Sequence, residues 1–255
     1  MFKSMYRFPL FFLAFSVISI LFSSQVSANI ALSKFRVYFD GKNRTASLQL
    51  RNTGSQDFKY SAELILNAMT EEGSIYAVSD DPLSAKSFVR FSPKRGTISP
   101  GERQAIRFAL RKPSGLLDGE YRAVLRIVTE LAPTTGGNVN LASKLAYNVP
   151  IIVRHGDVEA ESTLSSPSTL IFNGQPHLQL WQTRTGNRSL FGNFIVETKE
   201  GEEIGVLNNV AVYQPLERRK ILIPLTNAVD GDVIIRYSEN KKFGGDITLS
   251  LPFTL

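Results

Sequence analysis

Residues 141–157 read LASKLAYNVPIIVRHGD, an alternation of small or polar residues with apolar ones that meets a proline where it most resembles a buried strand. Successive side chains of a strand point to opposite faces, so Leu141, Leu145, Tyr147, Val149, Ile151 and Val153 share one face. Proline cannot donate to a ladder and is confined to strand edges, strand starts and bulges. Pro150 therefore predicts that this strand lacks an ordinary neighbour along one edge. Two readings of the apolar face stay open. It is the core of a domain, the preferred reading for Ile151 and Val153, or its earlier part is an exposed edge that adds itself to a partner's sheet. Proteins normally protect such an edge, so leaving it usable would serve a function.

Outward from this stretch the same period recurs. Ala46, Leu48 and Leu50 alternate before the turn signal Asn52-Thr53-Gly54, and Ile106, Phe108 and Leu110 alternate with Arg107 and Ala109. Tyr121, Ala123, Leu125 and Ile127 alternate with Arg122, Val124, Arg126 and Val128. Period two with closely spaced turns predicts an all-β sandwich rather than a helical or βαβ protein. SAELILNAM, residues 61–69, has a helical composition but follows a strand-like run and ends without a cap, which favours strand. DPLSAKSF, residues 81–88, is read as a single turn beginning at Pro82, and the glycine- and threonine-rich 133–139 as a loop.

After Arg154 the chain is polar and serine-rich to Ser168, which predicts a domain boundary near residues 154–159. Short apolar runs then resume at Leu178, Phe194, Val210 and Leu222, and the segment from Phe243 to Leu251 closes a second, smaller β-domain. The N-terminus has its own logic. Lys3 and Arg7 precede an apolar run, and Val26-Ser27-Ala28 is a small-residue cleavage pattern, together the three parts of an export leader. The expected organisation is a leader over 1–28, a first domain over 29–154 and a second over 155–255.

Composition narrows the function. Lys and Arg total 29 against 23 Asp and Glu, a net charge of +6 that the expected leader, carrying two of the basic residues, reduces further. That mild excess, without a clustered stripe, fits solubility and an anion contact better than a nucleic-acid groove. With no cysteine there is no disulfide framework, thiol chemistry or Cys-based metal site. His155 and His177 lie in a presumed linker and beside a turn proline, and nothing places either as a catalytic base. No catalytic residue, cofactor or metal is expected. Charged residues on half-exposed strands ordinarily face solvent, and this is the default reading for Arg107, Arg122, Lys144 and Arg154. Arg36, inside an apolar run, is the candidate for gripping a carboxylate through its planar fork.

The segments FRVYFDGKNRTASLQLRNTG, FSPKRGTISPGERQAIRFAL, LDGEYRAVLRIVTE, LASKLAYNVPIIVRHGD, TRTGNRSLFG and GGDITLSLPF occur in an order that resembles the PapD-like family of periplasmic pilus and fimbrial chaperones. The resemblance spans the chain beyond the leader. It implies two immunoglobulin-like β-sandwich domains set at an angle around a cleft, a periplasmic location and no nucleotide or metal. It also implies partners: pilus or fimbrial subunits, which the chaperone caps by donor-strand complementation, and an outer-membrane usher that receives them. The lending strand corresponds to Asn140–Val149, with Leu141, Leu145, Tyr147 and Val149 as inserting side chains and Ser143 as a weak point. Arg36 falls on the family's carboxylate-anchoring arginine, but the anchoring lysine falls on Pro150, which leaves Arg36 alone, or Lys144 or another basic residue reaching the site from a different position. Arg154 and Glu120 fall on the pair that fixes the interdomain angle, and Glu239 is the nearest candidate for their acidic partner in the second domain. The alternative, from the residues alone, is an exported immunoglobulin-like adhesion or scaffold protein with the apolar strand buried.

Overall fold

The structure, a computed structural model, describes residues 30–131, 144–226 and 231–255. Two stacked pairs of sheets follow one another along the chain. In the first, β1 (Ile30–Leu32), β3 (Thr45–Asn52), β8 (Arg103–Leu110) and β6 (Val89–Ser92) form one sheet in that order. Facing it are β2 (Val37–Phe39), β10 (Lys144–His155), β9 (Gly119–Leu131), β4 (Phe58–Met69) and β5 (Ile75–Val78), with β7 (Arg95–Ile98) also paired to β4. Leu48, Leu50, Ile106 and Phe108 from one sheet meet Val37, Phe39, Phe58, Leu125, Ile127, Val149 and Ile151 from the other in a single apolar core. The strand over 61–69 is the greater part of β4, as its lack of a helix cap predicts.

The second sandwich packs β11 (Ala160–Phe172), β12 (Gln175–Gly186) and β15 (Arg218–Pro224) against β14 (Glu203–Val212), β13 (Leu190–Thr198), β16 (Asp232–Glu239) and β17 (Thr248–Thr254). Leu178, Leu180, Phe194, Val196, Ile221, Ile223, Ile235 and Tyr237 are its core. The serine-rich segment after residue 159 is the edge strand β11, interrupted by a register shift between Ser165 and Ser168. Backbone pairing to β12 holds it, and an exposed edge strand needs few apolar side chains.

A small third cluster joins the two sandwiches: Ile152, Ala211 and Tyr213, with Tyr38, Met69 and Phe191 against them. It explains why β9 and β10 change character along their length. At Gly119–Ala123 and Ile151–Arg154 successive residues are buried on both faces, because the second domain covers the outer side of the sheet there. Farther from the junction the strands have one buried face only, and Arg126, Lys144, Leu145 and Ala146 are exposed.

The two halves of β10 should differ accordingly in their contribution to stability. Ile151→Ala empties a site with 0% exposure and is expected to cost about 2–5 kcal/mol in urea unfolding. Leu145→Ala, on the same strand face but 45% exposed, should cost under about 0.5 kcal/mol.

Candidate functional site

β10 runs antiparallel to β9 over its whole length, from Lys144 opposite Glu130 to His155 opposite Gly119. Its other edge is covered only by β2, in parallel register from Ile151 opposite Val37 to Val153 opposite Phe39. Among the described residues no strand pairs with Lys144–Pro150 on that side. Pro150 is the last residue before the cover begins. A proline is tolerated there because the strand is an edge strand up to that point.

The expected inserting residues divide. Leu141 lies outside the described residues. Leu145 is open, and Tyr147 is half-buried against the first core. Val149 is a correction: at 1% exposure it belongs to the chain's own core, because the inner face of the sheet is already packed at that register, and it has no surface to lend. Lys144 forms an ion pair with Glu130 across the ladder and stays solvent-exposed. It stands six residues from Pro150, roughly 20 Å at about 3.3 Å per residue, so it does not take the place of a lysine there.

Arg36 also differs from expectation. It precedes β2 and points at the second domain, where Nη2 donates to the Tyr213 hydroxyl at 2.7 Å. Its guanidinium lies 3.7 Å from the centroid of the Phe191 ring, with Tyr213 and Phe243 also close. Enclosed by three rings and 8% exposed, Arg36 is a tie between domains rather than an arginine open to a cleft.

Glu120 and Arg154 meet as the resemblance implies: Arg154 Nε donates to Glu120 Oε2 at 3.2 Å in a buried pair. From the same guanidinium Nη1 donates to the Gly244 carbonyl at 2.8 Å and to the Tyr38 hydroxyl at 3.3 Å. Gly244 sits at φ 68°, and a Cβ there would run into Tyr38 and Arg154, so the turn after the single 3₁₀ turn Lys241–Phe243 requires glycine. Glu239 is not the second-domain partner of Arg154. Its carboxylate accepts from Arg188 Nη1 at 2.9 Å and from the backbone N–H groups of Asp246 and Ile247 at 3.1 Å each, all within the second domain. The longer segment between β16 and β17 folds back on Glu239 and consumes it locally, and the carbonyl of Gly244 takes its place at the junction.

Strand alternation alone missed two contributors. The β4–β5 hairpin reaches the second domain, where Lys220 N–H donates to the Glu71 carbonyl at 2.7 Å and Arg218 Nε to Glu71 Oε1 at 2.8 Å. Arg122, assigned to solvent by alternation, is 7% exposed; its Nη2 donates to the Gln214 carbonyl at 2.5 Å and approaches Asp81 Oδ2 at 3.5 Å. Burial pulls the Arg122 pKa down, opposed by the carboxylate of Asp81. Between these parts lies a pocket of about 200 Å³, walled by Leu66, Ile75, Val124, Pro150 and Ile152, with Arg122 and Asp81 on its polar side. Among the described residues no group of three or more His, Asp or Glu side chains could hold a metal ion.

Arg36→Ala removes a charge-assisted hydrogen bond and a stacked contact across the junction. Its expected cost is about 1.5–3 kcal/mol in urea unfolding. Arg36→Lys should recover little of it, since an ammonium cannot reproduce the planar stack on Phe191.

No family model matches the chain, and no curated protein matches it. Its fold is nevertheless shared with solved structures. The YadV chaperone superposes with a TM-score of 0.50 at 13% identity, covering 89% of this chain and 100% of that one. A chain of the CsuC–CsuE chaperone–tip adhesion subunit pre-assembly complex, from the archaic chaperone-usher Csu pili of Acinetobacter baumannii, also gives 0.50 at 13% identity, with 88% and 98% covered. The class 5 fimbriae chaperone CfaA gives 0.50 at 12% identity, with 89% and 98% covered. At these identities the likeness is one of fold: tandem immunoglobulin-like sandwiches matched along nearly the whole of each chain.

Proposed function

We propose that this chain is a periplasmic chaperone that caps pilus or fimbrial subunits by lending a strand to their incomplete sandwich and passes them to an outer-membrane usher. The observation that carries the reading is the edge of β10 over Lys144–Pro150, with which no strand among the described residues pairs, on a strand held along its whole other edge by β9. A free edge with an apolar residue at its open end is the chemistry of strand addition: backbone groups complete the partner's ladder and alternate side chains fill its groove. A subunit lacking a strand exposes both a groove and an edge, and covering them together prevents edge-to-edge aggregation. The shared fold and the printed roles of the solved structures, a chaperone and a chaperone–subunit complex among them, support the same reading.

In this reading residues 29–154 form the lending domain, 155–255 its partner, and 1–28 the export leader, which lies outside the described residues. The side chains offered to the groove are Leu145 and Tyr147, with Leu141 proposed from the strand's register. Glu120 and Arg154 set the angle between the domains, together with Arg36, Tyr213 and Glu71.

Chain purified from the periplasm of cells that co-express subunits is expected to bring a subunit with it. Leu145→Asp, which places an unpaired charge in an apolar groove, should lower that recovery by about tenfold or more while leaving the urea midpoint unchanged. Undiminished recovery by a folded Leu145→Asp variant, or no subunit with either chain, overturns the capping role in favour of a stand-alone adhesion or scaffold protein.

A further inference from the structure

The four strands of the first sheet, β1, β3, β8 and β6, hold four arginines and no lysine or acidic residue. Arg51 lies on β3, Arg103 and Arg107 on β8, and Arg90 on β6. Each alternates with buried neighbours and is exposed, so the four share the sheet's outer face with Thr45, Ser47, Gln49, Ser92 and two alanines, Ala105 and Ala109. The register sets Arg51 directly opposite Arg103. Like charges placed so across a ladder destabilise the sheet. Elsewhere exposed strands mix the two signs. On the outer face of the facing sheet Lys59 and Lys144 flank Glu130, and Arg126 stands opposite Glu63. In the second sandwich Arg236 pairs with Glu197 and Lys199 with Asp232.

Among the described residues Arg51, Arg103 and Arg107 make no side-chain hydrogen bond or ion pair, and Arg90 donates only to the carbonyls of Ser87 and Val89. Uncompensated charge kept on a face that touches no core points to an anion that the face receives. Arg51 and Arg90 stand at opposite corners, six residues apart along β8, roughly 20 Å at about 3.3 Å per residue, so no single small anion engages both. Between Arg90 and Arg107 a shallow, open groove of about 700 Å³ runs over Ala109. Arg107 is flanked across the ladder by Ser47 and Ser92, a guanidinium and two hydroxyls side by side, which suits phosphate oxygens. No large apolar side chain of these strands is exposed, whereas protein interfaces place aromatic and aliphatic anchors at their centre. The face therefore fits an extended layer of phosphate groups better than a folded acidic partner.

We infer that the outer face of this sheet docks on an anionic lipid leaflet, with Arg51, Arg90, Arg103 and Arg107 donating to headgroup phosphates. β10 belongs to the facing sheet, so a chain docked in this way keeps the Lys144–Pro150 edge off the leaflet. Docking of this kind is independent of whether that edge is lent to a subunit.

The test is co-sedimentation of the full exported chain with vesicles of phosphatidylglycerol and phosphatidylcholine in equal parts, and with vesicles of phosphatidylcholine alone, at low ionic strength. Binding to the mixed vesicles is expected, about tenfold or more weaker binding to the neutral ones, and loss of binding as added sodium chloride shortens the screening length. Arg51→Gln combined with Arg103→Gln should weaken binding to the mixed vesicles by about twentyfold, at about fivefold per basic residue beside an anionic leaflet. The urea midpoint of that double variant should be equal or higher, because a like-charge pair is gone. Lys59→Gln combined with Arg126→Gln removes the same charge from the facing sheet and should change binding by less than about twofold. Equal sedimentation with both kinds of vesicle, none with either, or equal loss from the two double variants overturns the leaflet assignment. Polyglutamate that displaces the chain from mixed vesicles at matched ionic strength, and binds less to the Arg51 and Arg103 double variant, assigns the face to an acidic polypeptide and also overturns it. The comparison of vesicles needs no variant, and Arg107→Gln alone, with an expected loss of about fivefold, serves if the double variant does not fold.

Discussion

The antiparallel ladder between β9 and β10 is the constraint on which the rest of the molecule depends. It holds β10 in one register over twelve residues, from Lys144 opposite Glu130 to His155 opposite Gly119. One strand therefore begins at an open edge, passes through the core of the first sandwich and ends at the junction with the second. A one-residue slip would turn Val149, Ile151 and Val153 out of the core. It would also carry Arg154 away from Glu120 and Ile152 away from Tyr213. The geometry of the junction and of the open edge are thus two consequences of one pairing, and stability invested in the core serves both.

Much of this was legible in the residues. Alternation at Ala46–Leu50, Ile106–Leu110 and Tyr121–Ile127 marks the inner faces of both sheets of the first sandwich, and the alternating positions are buried apart from Ala46, which is partly so. Pro150 announces a missing neighbour, and the neighbour is missing up to that residue. The run Pro150–Val153 carries a further signal: unbroken apolar sequence is what a strand buried on both faces requires, and here the second domain supplies the second cover. What alternation cannot show is which outer faces are covered. Arg122 alternates with core residues just as Arg107 does, yet Arg107 is exposed and Arg122 is buried, because β9, unlike β8, passes under Tyr213 and Gln214. Glu239 was misplaced for a related reason. Its partner Arg188 is 51 residues away in sequence, and no local pattern encodes that meeting. Val149 fell on the wrong side of the boundary between lent and kept side chains because both halves of β10 read as apolar at period two.

Beside the apolar cluster of Ile152, Ala211 and Tyr213 the junction holds polar groups with little solvent to share. Breaking a buried ion pair leaves an uncompensated charge, whereas an intact one contributes modestly, so such pairs constrain geometry more than they add stability. Glu120 and Arg154 meet this description: one carboxylate oxygen is paired, the other is buried without a partner among the described residues, and Arg154 Nη1 donates to Tyr38 and Gly244. On the opposite side the β4–β5 hairpin fastens the first sandwich to the edge strand β15 through Glu71. With ties on both sides, a hinge motion at one would strain the other, and the cleft between them keeps its shape.

Tyr213 stands at the centre of that cleft, and two guanidiniums use it differently. Arg36 donates to its hydroxyl, while Arg122 lies 4.7 Å from its ring centroid. Two like charges so near one another raise the cost of keeping either desolvated, and the charge of Arg36 adds to burial in pulling the Arg122 pKa down. Arg36 is compensated by three aromatic faces; Arg122 has a backbone carbonyl and one loosely held carboxylate, and keeps a donor free.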